Sequence, residues 1–297
     1  MPSTPPFRIG VDLGGTKIEG VVLDAGGEVV WRHRLPTESG LGYENILERI
    51  ALVVDACRAR APECDRIGIG TPGSISSRTG LMKNSNTTCL NGRPLREDLE
   101  RRLGLPVRLE NDANLFALAE AVAGAARGAG LVFGVILGTG TGGGIVYRGE
   151  LLCGLQHLAG EWGHHSIDPV GPACYCGQRG CVEAYIAGPA VERDYVRRGG
   201  APSSVQEIVV AARNGEARAA QTFATFLDHF GRSLANLVTI LDPDVIVLGG
   251  GLSNIDELYR SGRDAVARYV FNDELRTPIV RNQLGDSAGV IGAALLD

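Results

Sequence analysis

Short apolar runs separated by glycine turns open the chain. Phe7 to Leu13 has the apolar character of a strand, and Gly14-Gly15-Thr16 ends it. A second run extends from Ile18 to Leu23, and after the turn Ala25-Gly26-Gly27 a third extends from Glu28 to His33. Three strands joined by tight turns predict a β-meander. No helix follows the first glycine turn, so the pattern differs from a Rossmann dinucleotide site, in which the glycine loop opens a helix.

The same pattern recurs in the second half of the chain. Leu131 to Leu137 is apolar, a glycine- and threonine-rich turn spans residues 138–144, Ile145 to Tyr147 predicts a second strand, and Gly149 begins a third. We interpret the recurrence as an internal duplication of one meander unit. Because the two copies share a pattern more than identical residues, chance recurrence is the alternative.

Helical and buried-strand patterns fill much of the rest. Tyr43 to Arg60 has apolar residues at helical spacing and predicts an amphipathic helix. Further strands are predicted over Arg66–Gly70, Val107–Leu109 and Asp244–Leu248, and further helices in the alanine-rich stretch after residue 114, over Val205–Arg213, over Glu216–Leu241 and from Ser287 onward. The long helix carries a phenylalanine- and leucine-rich stripe, which we expect to be core packing.

Composition narrows the class of protein. The 297 residues are 44% hydrophobic and 21% charged, with a formal net charge of −5, which is ordinary for globular proteins. This mild charge gives no reason to expect nucleic acid or a membrane surface as a partner. Neither a signal peptide nor an apolar run long enough to span a bilayer is visible. We therefore expect a cytoplasmic protein whose seven cysteines are reduced or metal-bound.

Glycine is in excess, with 42 residues or about 14% of the chain against a usual share of about 7%. Three glycine-rich turns follow apolar strands, at residues 14–15, 138–144 and 249–251. Glycine turns bring bare backbone N–H groups close to an anion, and threonine hydroxyls add donors. Together the three turns can hold one ligand with several phosphates. Each turn taken singly could be only a tight hairpin, and none is a Walker A loop.

Asp112 is the candidate for acid–base chemistry. It lies just after a predicted strand, with Asn111 before it and Asn114 two residues after it. Phosphoryl transfer needs a carboxylate that orients a hydroxyl and accepts its proton, and the two asparagines could hold hydroxyls or fix the carboxylate. The alternative is that Asp112 caps the following helix, and one residue could do both.

A cysteine cluster, Cys174-x-Cys176-x4-Cys181, follows ten residues after His164. Three thiolates and one imidazole form a tetrahedral zinc set, and four protein ligands leave no open position for catalysis. Gly177 and Gly180 let the chain curl around an ion. The spacing departs from the common Cys-x2-Cys pattern, and His165 is the rival fourth ligand.

Three segments resemble the nucleotide motifs of the sugar kinases with an actin-like ATPase fold. Gly10 to Lys17 resembles their first phosphate motif, Leu137 to Gly144 the second, and Asp244 to Gly251 the adenosine motif. Within that superfamily the chain resembles the ROK family (repressors, open reading frames and kinases), most specifically in Val11-Asp-Leu-Gly-Gly-Thr-Lys17 and Cys176-Gly-x-x-Gly-Cys181. The resemblance extends from about Arg8 to Leu296.

The resemblance implies an architecture. We expect an α/β, actin-like ATPase (ribonuclease H-like) fold with two lobes around a central cleft. The small lobe would consist of residues 1–113 plus 280–297, and the large lobe of residues 114–279, which include the zinc-binding loop. A homodimer is also expected from the family.

The resemblance also assigns residues to the nucleotide and to catalysis. Asp12 would orient Mg²⁺ on the ATP phosphates, and Asp112 would be the general base. The backbone groups that would line the β- and γ-phosphates belong to Gly14, Gly15, Thr16, Gly138, Thr139 and Gly140, and those that would border the adenosine to Gly249, Gly250 and Gly251. Lys17 would contact a phosphate, with an ordinary solvated lysine as the alternative.

The sugar and zinc residues follow in the same way. The side chains expected to bind the sugar are Asn84, Asn111, Asp112, Glu161, His164 and Glu183. Without the motif around them, Glu161 and Glu183 would be interpreted as ordinary solvent-exposed surface residues. The ligands of a structural zinc would be His164, Cys174, Cys176 and Cys181. His164 is chosen over His165 because it directly follows Gly163, as the family pattern requires.

The expected function is therefore ATP-dependent phosphorylation of a hexose. The segment Lys83 to Gly92 looks closest to fructokinase and mannokinase members, so fructose, giving fructose 6-phosphate, is the first substrate expected, with mannose or glucose as further ones. N-acetylglucosamine is the second choice. A sugar-sensing repressor would need a DNA-binding module before the first strand, where about seven residues stand. A non-catalytic sugar sensor would have no need of Asp112 and two phosphate turns.

Overall fold

The first apolar runs form an antiparallel meander that extends into a parallel sheet. In the computed structural model, which describes residues 7–296, the sheet has the order β3-β2-β1-β4-β7. Its strands are β1 (Phe7–Leu13), β2 (Lys17–Asp24), β3 (Val29–Pro36), β4 (Ile67–Thr71) and β7 (Val107–Asn111), and a separate hairpin is formed by β5 (Ser74–Ile75) and β6 (Met82–Lys83). The pairs β1–β2 and β2–β3 are antiparallel, whereas β4 is parallel to β1 and to β7.

The second meander forms an equivalent sheet of order β10-β9-β8-β11-β12. Its strands are β8 (Leu131–Leu137), β9 (Thr141–Tyr147), β10 (Glu150–Leu151), β11 (Val245–Gly249) and β12 (Ile279–Arg281). Again the meander strands pair antiparallel, and β11 is parallel to both β8 and β12. Both sheets therefore repeat one strand order with one set of directions, which confirms the predicted duplication.

Helices connect the strands and complete the layers. They are α1 (Tyr43–Arg58), α2 (Leu95–Leu103), α3 (Asp112–Val122), α4 (Glu183–Ile186), α5 (Gly188–Arg197), α6 (Val205–Arg213), α7 (Ala217–Leu241), α8 (Ser261–Ala267) and α9 (Ala288–Ala294). Within residues 7–296, no helix is both long enough and apolar enough to cross a membrane.

The chain divides into two compact units. Unit 1 consists of the chain up to Ala123 together with the chain from Asp286 onward, and unit 2 of Gly124–Gly285. The boundaries expected from the sequence, after residue 113 and before residue 280, would cut through α3 and β12. The observed boundaries keep both elements whole, because α3 stays with the sheet of unit 1 and β12 with that of unit 2.

Unit 1 covers its sheet on both faces. On one face α1 buries Ile50, Val53 and Cys57, and a Cβ at Gly20 would lie 2.5 Å from the Val53 side chain. On the other face α9 approaches so closely that a Cβ at Gly68 would lie 1.8 Å from a backbone oxygen of the helix. Both faces of the sheet are therefore covered, which explains why Ile9, Gly10 and Val11 of β1 and all five residues of β4 are buried.

The core of unit 2 is built around α7. The predicted stripe points inward, with Phe226, Phe230 and Leu234 buried, and it packs with the apolar residues of β8 and β11. The expectation that the stripe is core packing is confirmed.

Candidate active site and metal centre

The first glycine turn joins β1 to β2. The Gly14 N–H closes the hairpin by donating to the Lys17 carbonyl at 2.9 Å, and a Cβ at residue 14 would lie 2.9 Å from that oxygen. Gly15 and Thr16 are exposed at the tip. The turn thus offers bare backbone to solvent, as a phosphate site requires.

Asp12 lies near the end of β1, on the sheet face covered by α9. A Cβ at Gly289 of α9 would lie 3.4 Å from the Asp12 carboxylate. Burial, together with the nearby charges of Asp112 and Glu19, raises the pKa of Asp12 to about 6, against an opposing effect of Lys17. A bound cation would relieve this unfavourable environment of the charged carboxylate, so the position suits a group that orients Mg²⁺.

Glu19 is a buried carboxylate that the sequence analysis did not single out. It lies opposite Asp12 in the β1–β2 pairing and accepts from Lys17 at 3.2 Å, from Arg32 at 2.6 Å and from Arg34 at 2.9 Å. Burial opposes its charge, but the hydrogen bonds from Arg34 and Lys17 together with the charges of Arg32 and Lys17 outweigh burial and hold the pKa of Glu19 below its usual value. In the sequence, the sign of a buried and paired carboxylate was that Glu19 is the single acid in the apolar run 18–23. Lys17 is therefore held by Glu19, and its phosphate contact stays a prediction.

Asp112 is the first residue of α3, and its neighbour Asn111 caps the helix. The Asn111 side chain accepts from the Asn114 N–H at 2.7 Å, so the cap proposed as an alternative role for Asp112 belongs to the preceding residue. The Asp112 carboxylate accepts from the Ala113 N–H at 2.9 Å. Asp112 as a residue is exposed, but the protein atoms around its carboxylate displace water and raise its pKa, against hydrogen bonds from the backbone of Ala113 and of Asp112 itself. A carboxyl with a raised pKa is suited to accept a proton.

Glu110, at the end of β7, holds the residues around Asp112. Its carboxylate accepts from the Asn111 N–H at 2.9 Å and from the Asn114 side chain at 3.0 Å. Sequence reasoning missed this acid, because a charged residue at a strand end is usually solvated. Asn114 was expected to hold a hydroxyl or to fix the Asp112 carboxylate, and its side chain instead donates to Glu110.

Asn84 follows β6 and is exposed in a left-handed conformation with φ 58°. The next residue, Ser85, exchanges two hydrogen bonds with the Asn91 side chain, both 2.9 Å long. The loop that carries Asn84 is therefore internally braced, and Asn91 is a supporting residue that sequence reasoning did not identify.

The second and third glycine turns lie side by side in unit 2. Gly249 of β11 pairs with Ile136 of β8, and a Cβ at Gly250, whose φ is 80°, would lie 2.3 Å from the Leu137 carbonyl. Glycine is thus required at Gly250 by both conformation and space. Thr139 and Gly251 are exposed at the two tips. The structure therefore brings together the two turns that were expected to meet phosphate and adenosine.

Glu183 binds the second turn directly. Its carboxylate accepts from the Thr141 N–H at 2.9 Å, and a Cβ at Gly140 would lie 2.9 Å from the same carboxylate. The Gly138 carbonyl accepts from the Gly188 N–H at 2.8 Å. The expected sugar residue Glu183 is thus in contact with the expected phosphate turn.

The segment that carries Glu161 and His164 lies against β9. The Trp162 indole donates to the Gly142 carbonyl at 2.9 Å, and a Cβ at Gly163 would lie 1.9 Å from the Thr141 carbonyl. Glu161 is exposed. Close backbone packing therefore fixes the segment, while the Glu161 carboxylate faces water.

The cysteine cluster and His164 converge. The potential ligand atoms of His164, Cys174, Cys176 and Cys181 all lie within 4.8 Å of one another. His164 Nδ1 lies 3.6 Å from Cys174 Sγ, and Tyr175 OH lies 3.1 Å from His164 Nε2. His165 instead lies 3.5 Å from the Asn236 side chain. The choice of His164 over His165 agrees with this geometry, and the donor set of three sulfurs and one nitrogen fits tetrahedral zinc.

Two glycines shape this loop. Gly177 has φ 90° and Gly180 has φ 68°, and a Cβ at Gly180 would lie 1.7 Å from the Asp168 carbonyl. The loop can therefore close around an ion only with glycine at that position.

The expected site residues are distributed over both units. Unit 1 holds Asp12, Gly14, Gly15, Thr16, Lys17, Asn84, Asn111 and Asp112, and unit 2 holds Gly138, Thr139, Gly140, Glu161, His164, Glu183, Gly249, Gly250, Gly251 and the three clustered cysteines. Unit 1 thus holds one of the three glycine turns and unit 2 the other two, and each unit has carboxylates of its own.

Comparisons with known proteins cover almost the whole chain. The model of the ROK family matches residues 8–297. A relative from Vibrio cholerae serotype O1, named N-acetyl-D-glucosamine kinase, is 37% identical over 299 residues, which cover 97% of this chain and 98% of the relative.

Two solved structures are similar over the same length. A ROK hexokinase from Thermus thermophilus has a TM-score of 0.89 and 37% identity, covering 97% of both chains. A ROK family glucokinase from Streptomyces griseus, in complex with glucose and AMPPNP, has a TM-score of 0.75 and 32% identity, covering 97% of this chain and 98% of the other.

Proposed function

The chain belongs to the ROK family, and we propose that within this family it is an ATP-dependent kinase for N-acetyl-D-glucosamine. The broader assignment, a sugar kinase with the actin-like ATPase fold, is shown by the family match and by the full-length similarity to solved ROK kinases. The fold expected from the sequence is thereby confirmed.

The substrate proposal rests on one observation, the 37% identity over 97% of the chain to the Vibrio cholerae N-acetyl-D-glucosamine kinase. Fructose, the first substrate expected from the sequence, finds no counterpart in the names of the relatives reported above. The second expected substrate therefore becomes the first choice, and fructose becomes the main competitor in the test.

Asp112 is the proposed general base. In the reaction the sugar 6-hydroxyl oxygen forms a bond to the γ-phosphorus of ATP, the bond from that phosphorus to the bridging oxygen breaks, and ADP leaves with the electron pair. The hydroxyl proton passes to the Asp112 carboxylate. Because Asn111 caps α3, the Asp112 side chain does not have to. Asp112 is exposed in the ligand-free structure, so a sugar hydroxyl can reach its carboxylate.

The phosphates are proposed to bind at the glycine turns. Backbone N–H groups of the first turn, at residues 14–16, and of the second, at residues 138–140, would hold the β- and γ-phosphates, and the third turn, at residues 249–251, would border the adenosine. Asp12 would hold Mg²⁺, which neutralises charge on the phosphates. The raised pKa of Asp12 means that the ion would also stabilise the ionised carboxylate.

The sugar hydroxyls are proposed to bind Asn84, Asn111, Glu161, His164 and Glu183. Zinc held by His164 Nδ1 and the three clustered cysteines would fix the loop on which three of these residues depend. Nδ1 is the nitrogen that lies closer to a cysteine sulfur, and Nε2, now beside the Tyr175 hydroxyl, is then the nitrogen available to the sugar.

One assay tests the proposal. ADP release is measured with N-acetylglucosamine, fructose, mannose and glucose, and we expect kcat/KM for N-acetylglucosamine to exceed that for each other sugar at least tenfold. An Asp112→Asn preparation, purified in parallel, measures the background from contaminating kinases. A higher kcat/KM for fructose would restore the first expectation, and sugar binding without any turnover would favour the non-catalytic sensor.

A further inference from the structure

Thr37, which follows β3, contacts the first glycine turn on its buried side. Its side chain is buried, with 0% exposure. The Thr37 hydroxyl donates to the Gly14 carbonyl at 2.6 Å, and the Thr37 N–H donates to the Thr16 carbonyl at 2.9 Å. One residue that directly follows another strand therefore binds two carbonyl oxygens of the turn.

We propose that Thr37 is a positioning residue for nucleotide binding, whose hydroxyl fixes the first turn so that N–H groups and not carbonyl oxygens face the phosphates. This inference rests on the proposed function, which assigns that turn to the phosphates of ATP. Thr37 itself makes no contact with the nucleotide in this proposal.

The polarity of the turn explains why such a residue is needed. A peptide turn carries N–H donors, which attract a phosphate, and C=O acceptors, which repel it. Thr37 binds the carbonyls of Gly14 and Thr16 on the buried side. Over residues 7–296, no backbone acceptor is found for the N–H groups of Gly15 and Thr16, and both residues are exposed. The turn is therefore held with its donors outward before any ligand arrives.

Thr37 is in turn held by α1. The Asn45 side chain donates to the Thr37 carbonyl at 3.2 Å and to the Glu38 carbonyl at 3.1 Å. Glu38 is left-handed, with φ 49°, so the chain turns sharply directly after Thr37, and Glu38 pairs with Arg49 further along α1. The position of the turn is thus tied to the helix that forms the core of unit 1, which makes the backbone geometry rigid.

A purely structural role predicts a different outcome. A buried hydroxyl that only satisfies a carbonyl oxygen would contribute to stability and leave nucleotide affinity unchanged. Thr277 offers a matched control, because it is also buried and its hydroxyl donates to the Pro243 carbonyl at 2.9 Å. Pro243 precedes β11, at the end of that strand opposite to its glycine turn.

The experiment compares Thr37→Val, Thr37→Ser and Thr277→Val in the full chain. MgADP affinity is measured by isothermal titration calorimetry, and KM for MgATP and for the sugar by ADP release. We expect Thr37→Val to weaken MgADP binding five- to tenfold and to raise KM for MgATP by the same factor, with KM for the sugar within twofold. Thr37→Ser restores the hydroxyl and should stay within threefold of wild type, and Thr277→Val within twofold.

Unchanged MgADP affinity in Thr37→Val, or an equal loss in Thr277→Val, would overturn the proposal. If Thr37→Val does not fold, Asn45→Ala replaces it, with a two- to fivefold loss expected and no loss contradicting the proposal. Wild-type protein that binds MgADP but phosphorylates no sugar would refute the kinase assignment and leave the Thr37 measurement valid. Wild-type protein that fails to bind MgADP would refute the role of Thr37.

Discussion

At the start of α3, Asn111 caps the helix, and its neighbour Asp112 is the residue proposed to accept the proton. Asn111 supplies the capping oxygen to the Asn114 N–H, and the Asp112 carboxylate accepts from the Ala113 N–H of the same first turn. Carboxylates near a helix N-terminus are stabilised by the helix dipole, yet the protein atoms that displace water from its carboxylate raise the pKa of Asp112.

Asp112→Asn should retain binding and lose turnover. An amide of the same shape can still meet a sugar hydroxyl but cannot accept its proton, so we expect kcat to fall by about 10²–10⁴-fold with sugar affinity within threefold. Calorimetry and ADP release measure the two quantities. Turnover close to that of wild type would contradict the assignment of the base.

Asp12→Asn should stabilise the ligand-free protein at high pH. The folded-state pKa is raised from 3.8 to about 6, so the carboxyl favours folding only when protonated, and this contribution is lost as pH rises through about 6. Above pH 7 the ionised side chain costs up to about 3 kcal/mol. Urea unfolding without Mg²⁺ or nucleotide should show a gain of that order at pH 8 that shrinks as pH falls from 6 towards 4.

The control for Asp12→Asn is Asp55→Asn, which removes an exposed carboxylate from α1 of the same unit. Its effect should stay within about 0.5 kcal/mol at either pH. A gain for Asp12→Asn that did not depend on pH would show that lost charge is not the cause.

A functional role could be predicted for residues that lie in a short local motif. It could not be predicted for residues whose partners lie on a neighbouring strand. Asp112 and the cysteine cluster have signals within a few positions of the chain. Glu19 meets Arg32 and Arg34 only because β2 pairs with β3, and Thr37 meets Gly14 for the same reason. Register between strands is a property of the fold, and single positions carry no sign of it.

At the scale of elements, strands with glycine turns were predicted best. The helices α2 and α5 were missed because few of their residues are apolar: α2 buries Leu95, Leu99 and Leu103 among charged residues. The short strand β12, Ile279–Arg281, was missed because three residues carry no periodicity. Tertiary packing, and not the local pattern of apolar residues, determines whether such segments form a helix or a strand.

The loop with the cysteine cluster is held at its beginning by β9 and at its end by α4, and backbone pairing of Ala173 with Arg179 supports its middle. The proposed zinc would fix the middle further. We expect about one zinc per chain, and we expect metal removal, by chelation or Cys176→Ser, to weaken sugar binding about 10–100-fold while MgADP affinity stays within threefold. Elemental analysis and calorimetry measure this. Cys153→Ser, outside the cluster, is the control, and full activity with well under one zinc per chain would refute the role of the metal.

At the scale of the whole molecule, unit 1 is discontinuous in sequence. One face of its sheet is covered by α9, which follows the whole of unit 2 in the sequence. α9 approaches the sheet closely at Gly68 and at Gly10, where a Cβ would lie 2.3 Å from backbone atoms of the helix. Only glycine therefore fits at these two positions. The homodimer expected from the family stays a prediction.

Gly68→Ala should destabilise unit 1 selectively. A methyl group 1.8 Å from the Ala293 carbonyl forces α9 away from the sheet, and we expect a loss of more than about 3 kcal/mol. Hydrogen exchange should show reduced protection in β1 and β4 and unchanged protection in β8 and β11. Gly40→Ala, where a Cβ meets nothing within 4 Å, is the control, and equal loss in both units would contradict the selective effect.

The discontinuity of unit 1 has a consequence for biosynthesis. Residues 7–123 leave the ribosome first, yet their sheet lacks its cover until α9 emerges after the whole of residues 124–285. At about 5–20 residues per second, that interval is roughly 10–30 s. Unit 2 is contiguous and can fold within it, whereas the nascent first sheet exposes the apolar face that α9 will occupy. Molecular chaperones should therefore engage the first half of the nascent chain and release it only when α9 has been synthesised.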